Sequence, residues 1–134
     1  MKTTVTIKYP DFSKWNKAIN DLTVEVGTAV QNTAIENAPY KSGVYRNGIE
    51  YDKAYTVTAN ANYSAAIEYG TKAHPITAKN AKTLHYIGND GKDKFPKSVN
   101  HPGTQPNPVM RNSARAVQKQ IPELFKEVQR KNGL

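Results

Sequence analysis

The chain has 134 residues, with 19 Lys and Arg against 11 Asp and Glu for a net charge of +8, and a hydrophobic fraction of 37%. One domain with a single thin core is the expectation, its eight tyrosines half-buried at the rim. The lack of cysteine excludes a disulfide framework, a thiolate metal site and a cysteine nucleophile. The start MKTTVTIKYP lacks a signal-peptide run, and no window approaches the ~18 continuous apolar residues of a membrane span.

The charge is uneven: residues 1–36 sum to zero, 37–106 to +4 and 107–134 to +4. Such an excess favours an acidic partner, whether nucleic acid or an acidic protein surface.

Thr3 to Tyr9 alternates Val5, Ile7 and Tyr9 with Thr4, Thr6 and Lys8, the period-two pattern of a half-buried strand. Pro10 and Asp11 break it, with Asp11 a candidate helix cap. Phe12, Trp15, Ile19, Leu22, Val26, Ala29 or Val30, and Thr33 then recur at three and four residue steps. This predicts an amphipathic helix of about seven turns lying on a sheet, a coiled-coil seam being the alternative. Pro39 ends it by driving the preceding residue out of helical geometry. After a turn at Lys41–Gly43, two short strands are expected, near Val44–Tyr51 and Ala54–Ala59, joined around Asp52 and Lys53. NYSAAIEYGT fits either a strand or a short helix.

Residues 71–106 are dense in Gly, Pro, Asn and Lys and read as an extended loop or hairpin arm on the domain of residues 1–134. Within it, Thr83–Gly88, an Asn-Asp-Gly turn and KFPKSV predict a hairpin whose second strand Pro96 confines to an edge. A last helix begins at Val109, with a kink or restart at Pro122.

IEYGTKAHP places Glu68 six positions before His74, and His101 returns in VNHPG. Glu68, His74 and His101 could be read as a small hydrolase or nuclease site, but no nucleophile elbow, oxyanion hole or phosphate-binding glycine motif accompanies them. The three histidines lack the short spacing of a zinc site on a rigid element. No enzyme activity, cofactor or metal is therefore expected. His74 and His101 each precede a proline and read as turn residues whose ring nitrogens satisfy nearby backbone. Lys72, Lys79, Lys82, Lys92, Lys94 and Lys97 interleave with Tyr86 and Phe95, the composition of a single-strand nucleic-acid groove, and equally of a solvated edge hairpin.

Three blocks, taken in order, resemble the tailed-bacteriophage neck, head–tail joining or tail-completion proteins. APYKSGVYRNGI, with Pro39, Gly43 and Arg46, resembles the block that follows that family's long helix. NYSAAIEYGTKAHPI, with Glu68, Gly70, Thr71 and His74, is similar to its Gly-Thr block, and FPKSVNHPGTQPNPVMRNSA, with His101, Pro102, Gly103 and Pro108, to its closing block. Tyr45, Gly48 and Val109 depart from the usual Leu, Ser and Phe. The resemblance covers about residues 12–130 and implies a non-enzymatic virion protein of a phage or prophage, made in the bacterial cytoplasm and acting at the head–tail junction. The partners implied are other neck or connector proteins and tail terminator or tail tube proteins, within a homo-oligomeric ring that can be monomeric in isolation.

The expected fold is α+β: a small, mainly antiparallel sheet packed by the long N-terminal helix and the C-terminal helix. Glu68 is expected to be a buried or interface acceptor pairing Arg46, with His74 and Pro75 marking where the arm departs. Lys79, Lys82, Lys92, Lys94 and Lys97 are the candidate contacts to an acidic partner or DNA. The alternative function is a nucleic-acid-binding module built on that Lys-rich hairpin.

Overall fold

The computed structural model describes residues 2–6, 8 and 11–134. Its elements are α1 (Ser13–Asn37), α2 (Val44–Asn47), β1 (Ile49–Tyr51), β2 (Val57–Ala59), α3 (Ser64–Tyr69), β3 (His74–Thr77), β4 (Tyr86–Ile87), β5 (Asp93–Lys94), β6 (Ser98–His101), α4 (Val109–Gln118) and α5 (Ile121–Lys131). The fold is α+β, with a long N-terminal helix, a C-terminal helix pair and small antiparallel sheets. The strands form three separate two-stranded ribbons, β1–β2, β3–β6 and β4–β5. The chain divides into two compact units, Met1–Ala61 with Val109–Leu134, and Asn62–Pro108.

In the first unit, the N-cap of α1 is Phe12, whose side chain makes no capping bond; Asp11, the expected cap, stands one residue earlier and accepts the Ser13 N–H at 2.9 Å. The helix ends at Asn37 because Ala38, before Pro39, is extended at φ −67°, ψ 137°. It packs against α4, α5 and β1. The core is small: Ala18, Ala34, Ala38, Tyr45, Ile49, Tyr51, Val109, Val117 and Val128, together with Ser113. Small residues at 18 and 34 let the partner elements approach α1 closely. Gly27 serves the same end, since a Cβ there would lie 2.2 Å from the Tyr51 ring. The Tyr51 hydroxyl lies 3.2 Å from the Thr23 carbonyl oxygen and 3.0 Å from that of Ala54, and burial pushes its pKa above the ordinary 10.0.

Two expectations for this unit need correction. Residues 44–47 form a helical turn, and the strand is confined to Ile49–Tyr51. The reason lies in Gly43, which adopts φ +82° and lets the chain curl, so that Arg46 reaches back to the Ala38 carbonyl through Nε at 3.1 Å and Nη2 at 3.0 Å. Its guanidinium also sits 5.0 Å from the Tyr40 ring centroid. The period-two segment near the start is the other case: Lys2–Thr6 and Lys8 carry no strand and are exposed, while Ile7, Tyr9 and Pro10 lie outside the described residues.

The joint between the two expected strands does fall at Asp52 and Lys53. Asp52 Oδ1 accepts the Ala54 N–H at 2.8 Å and the Thr56 N–H at 3.0 Å, and Lys53 takes φ +63°. Ile49–Tyr51 then pairs antiparallel with Val57–Ala59. Pro122 restarts the chain as expected: α4 ends at Gln118 and α5 carries the proline in its first turn, where its missing N–H costs no helical bond.

The second unit opens with α3, which resolves the strand-or-helix ambiguity at 64–69 in favour of a helix. Its predicted hairpin exists but is short, Tyr86–Ile87 pairing with Asp93–Lys94. Asp90 holds the turn by accepting the Lys92 N–H at 3.1 Å and the Lys94 ammonium at 3.1 Å. Pro96 does not sit in an edge strand, as expected, but separates β5 from β6. Ser98–His101 leaves that hairpin to pair antiparallel with His74–Thr77.

Candidate functional site

The second and third sequence blocks meet in the second unit. Thr71 donates its N–H to the Thr104 carbonyl at 2.9 Å, and the Thr104 N–H lies 3.0 Å from both the Thr71 carbonyl and its Oγ1. Gly70 and Gly103 stand directly before these threonines. Gly70 has φ +71° with ψ 179°, a region open essentially to glycine alone, and Gly103 has φ +89°. A Cβ on Gly70 would meet the Thr104 oxygen at 2.5 Å, and one on Gly103 the Thr71 oxygen at 2.4 Å. Two Gly-Thr dipeptides thus form a reciprocal clasp, each glycine giving room for the opposite threonine's carbonyl.

Beyond the clasp, His74 and His101 are directly opposed in the β3–β6 register, their rings 5.0 Å apart and tilted by 32°. Each ring is latched to its own strand end: His74 Nδ1 lies 2.7 Å from the Lys72 carbonyl, and His101 Nδ1 accepts the Gly103 N–H at 3.0 Å. The first contact places a proton on His74 Nδ1, and the second requires His101 Nδ1 to carry none. The ring nitrogens do satisfy nearby backbone, as the sequence suggested. The residues themselves are cross-strand partners at the ends of a ribbon, because their prolines, Pro75 and Pro102, fall where a two-stranded ribbon tolerates a missing donor.

Around the clasp, Glu68 is buried on α3, and the Ile67 carbonyl accepts the Asn107 N–H at 2.8 Å just before Pro108. Pro39, Gly43 and Arg46 lie in the first unit, at the corner after α1. A cleft of about 450 Å³ separates the two ribbons of the second unit and is lined by Ile76, Leu84, His85, Tyr86, Val99 and His101 among others. His85 stacks on Phe95 with centroids 4.9 Å apart and planes at 10°, and its Nε2 is 2.7 Å from Asp93. Of the candidate cationic contacts, Lys79, Lys82, Lys92 and Lys97 are exposed, whereas Lys94 is half-buried and paired with Asp90.

Chemically, this geometry fixes two chain crossings. It presents no cluster of three or more His, Asp or Glu able to hold a metal among the described residues, and no described helix is long and apolar enough to cross a membrane. Thr104 is the clasp residue that the motif reading missed. The signal was in the sequence as a repetition, Gly-Thr near His-Pro at both 70–75 and 101–104. No family model matches the chain, and neither a curated protein nor a solved structure matches it.

Proposed function

We propose that the chain is a structural component of a tailed-phage head–tail junction, completing the joint through which the tail attaches to the DNA-filled head. In this reading it works without catalysis, as a subunit of a homo-oligomeric ring among neck, connector and tail proteins. The observation that carries the reading is the clasp. The residues that define two of the three resembling blocks are used to close the neck of a unit that has almost no core of its own.

Among the described residues every buried apolar side chain belongs to the first unit. In the second, Ile87 is 68% and Phe95 61% exposed. A clasped segment with bare apolar side chains and free ribbon edges suits ordering against a neighbouring subunit, backbone pairing supplying affinity. The test is electron microscopy of lysates from a prophage or phage that encodes the chain, with its gene disrupted. Filled heads and separate tails are expected, and intact virions in normal number would overturn the proposal.

A second reading, a nucleic-acid-binding module, draws on the exposed Phe95–His85 stack flanked by Lys92 and Lys97. It requires a gel shift with random DNA that weakens steeply with salt. Charge reversal at Lys79, Lys82, Lys92 and Lys97 should abolish that shift.

A further inference from the structure

The two histidines opposed across β3–β6 hold different proton arrangements. His74 donates from Nδ1 to the Lys72 carbonyl at 2.7 Å, whereas His101 Nδ1 accepts the Gly103 N–H at 3.0 Å. A neutral imidazole carries one ring proton, so His101 is protonated at Nε2 and His74 is bare there. An imidazolium carries both protons and accepts nothing. His74 can therefore take a second proton and keep its latch. His101 cannot, because charging it sets one N–H against another.

The Gly103 latch sits at the closure of the clasp. It ties the end of β6 to Thr104, whose N–H and carbonyl both bond Thr71. Gly103 itself is held at φ +89°, with the Thr71 oxygen 2.4 Å from where a Cβ would stand.

The surrounding charge works against protonation. His101 faces His74 across the ribbon, ring centroids 5.0 Å apart, and shares the cleft with His85 and Tyr86, while Lys72 stands just before β3. The acidic residues of the unit 62–108 are Glu68, buried on α3, and Asp90 and Asp93, which the hairpin engages through Lys94 and His85. Its six lysines against these three give a net +3, which becomes +6 with all three histidines charged. Protons on both clasp histidines thus place cation against cation, and parting the strands relieves the repulsion.

We propose that the clasp is a proton-operated joint: neutral His101 locks the Gly103–Thr104 segment onto Thr71, and protonation of the facing histidines releases it. The clasped state binds fewer protons than the released one. Its stability is therefore present above the imidazole range and lost as pH falls through it, between about pH 8 and about pH 5. The β4–β5 hairpin has the opposite sign. A protonated His85 gains an ion pair with Asp93 at 2.7 Å, and Asp90, held below 3.8 by the Lys92 N–H and the Lys94 ammonium, stays charged. Mild acid should open one ribbon of this unit and leave the other closed. The joint goes beyond the junction reading and does not depend on it, since it is measured on the chain alone.

The experiment is a nuclear magnetic resonance titration of the full chain from about pH 8 to about pH 5. Ring nitrogen shifts should show His101 as the Nε2–H tautomer at the upper end. As pH falls, the protection factors of the Gly103 and Thr104 amides should drop at least about fivefold, the equivalent of one hydrogen bond. The Gly88 amide, bonded to the Lys92 carbonyl at 2.8 Å in the hairpin, should keep its protection. His101→Asn supplies an amide oxygen that accepts the Gly103 N–H without taking up a proton, and should remove most of the response. An Nδ1–H tautomer at the upper end, Gly103 and Thr104 amides indifferent to pH, an equal loss at Gly88, or an unchanged response in His101→Asn would each overturn the proposal. The titration of the unsubstituted chain is decisive even where the variant fails to fold.

Discussion

The two units of this chain are stabilised by different means. The first buries a compact apolar cluster between α1, the β1–β2 ribbon and the C-terminal helices, with Val109, Val117 and Ser113 almost wholly excluded from solvent. The second, residues 62–108, buries Glu68 and otherwise relies on short ribbons, glycine-permitted close approaches and side chains latched to backbone. Burial acts through area and tolerates change at the surface, whereas the clasp acts through a few positions that tolerate almost no added atom. The lesson is that hydrophobic content does not by itself locate the informative residues. In the second unit they are glycines, threonines and histidines at a chain crossing.

The sharpest way to separate the two regimes is to strike the core. Val117→Asp places a carboxylate at a position 1% exposed and should lower global stability by on the order of 4 kcal/mol, read as loss of helical signal on heating. Gly27→Ala tests the same unit more gently. The added methyl collides with the Tyr51 ring and displaces its hydroxyl from the Thr23 and Ala54 carbonyls, for about 1–3 kcal/mol by chemical denaturation.

Gly70→Ala or Gly103→Ala should behave differently. Each forces a strained backbone and a contact near 2.5 Å, roughly 1–3 kcal/mol, yet the loss should stay within residues 62–108. Hydrogen exchange should rise at Thr71, Thr104 and the β3–β6 amides while the α1 and α4 amides keep their protection. Equal loss of protection in both units would break the distinction drawn between them.

The smallest effect is with acid. Asp52 is held below its ordinary pKa of 3.8 by the backbone N–H groups of Thr56 and Ala54, Asp90 by the Lys92 N–H and the Lys94 ammonium, and Asp21 by Lys17 and Asn132. A carboxyl whose folded pKa is depressed adds stability that is present above its unfolded value and lost as pH falls through the folded one. Stability should therefore decline below about pH 4. Asp90→Asn should flatten that decline for the β4–β5 turn, and Asp52→Asn for the β1–β2 loop, as followed by amide chemical shifts.

Much of this fold was legible in the chain because local chemistry spoke alone. The extent of α1 follows from three and four residue spacing bounded by Asp11 and Pro39, and the restart at Pro122 from a missing donor. The turn at Asp52 follows from a carboxylate able to accept two backbone N–H groups. Where the reading failed, a distant partner decided. Residues 44–47 have strand composition but curl, because Gly43 turns the chain at φ +82° and Arg46 then closes on the Ala38 carbonyl. KFPKSV looks like one strand but serves two ribbons, because Ser98–His101 pairs with a segment more than twenty residues earlier.

For the candidate site, the sequence by itself determined the cast: Gly70, Thr71, His74, His101, Pro102 and Gly103 are marked by residue type and by the repeated Gly-Thr and His-Pro pairs. It also determined that an apolar face runs along α1. Only the tertiary structure decided that the two Gly-Thr pairs bond to each other, that the histidines oppose one another across a ribbon, and that the α1 stripe is left exposed at Phe12, Trp15 and Ile19. The physical reason is the same in each case. Backbone preference and periodicity are properties of neighbours in sequence, whereas pairing across 33 residues and the covering of a face depend on which surfaces the folded chain brings within a few ångströms.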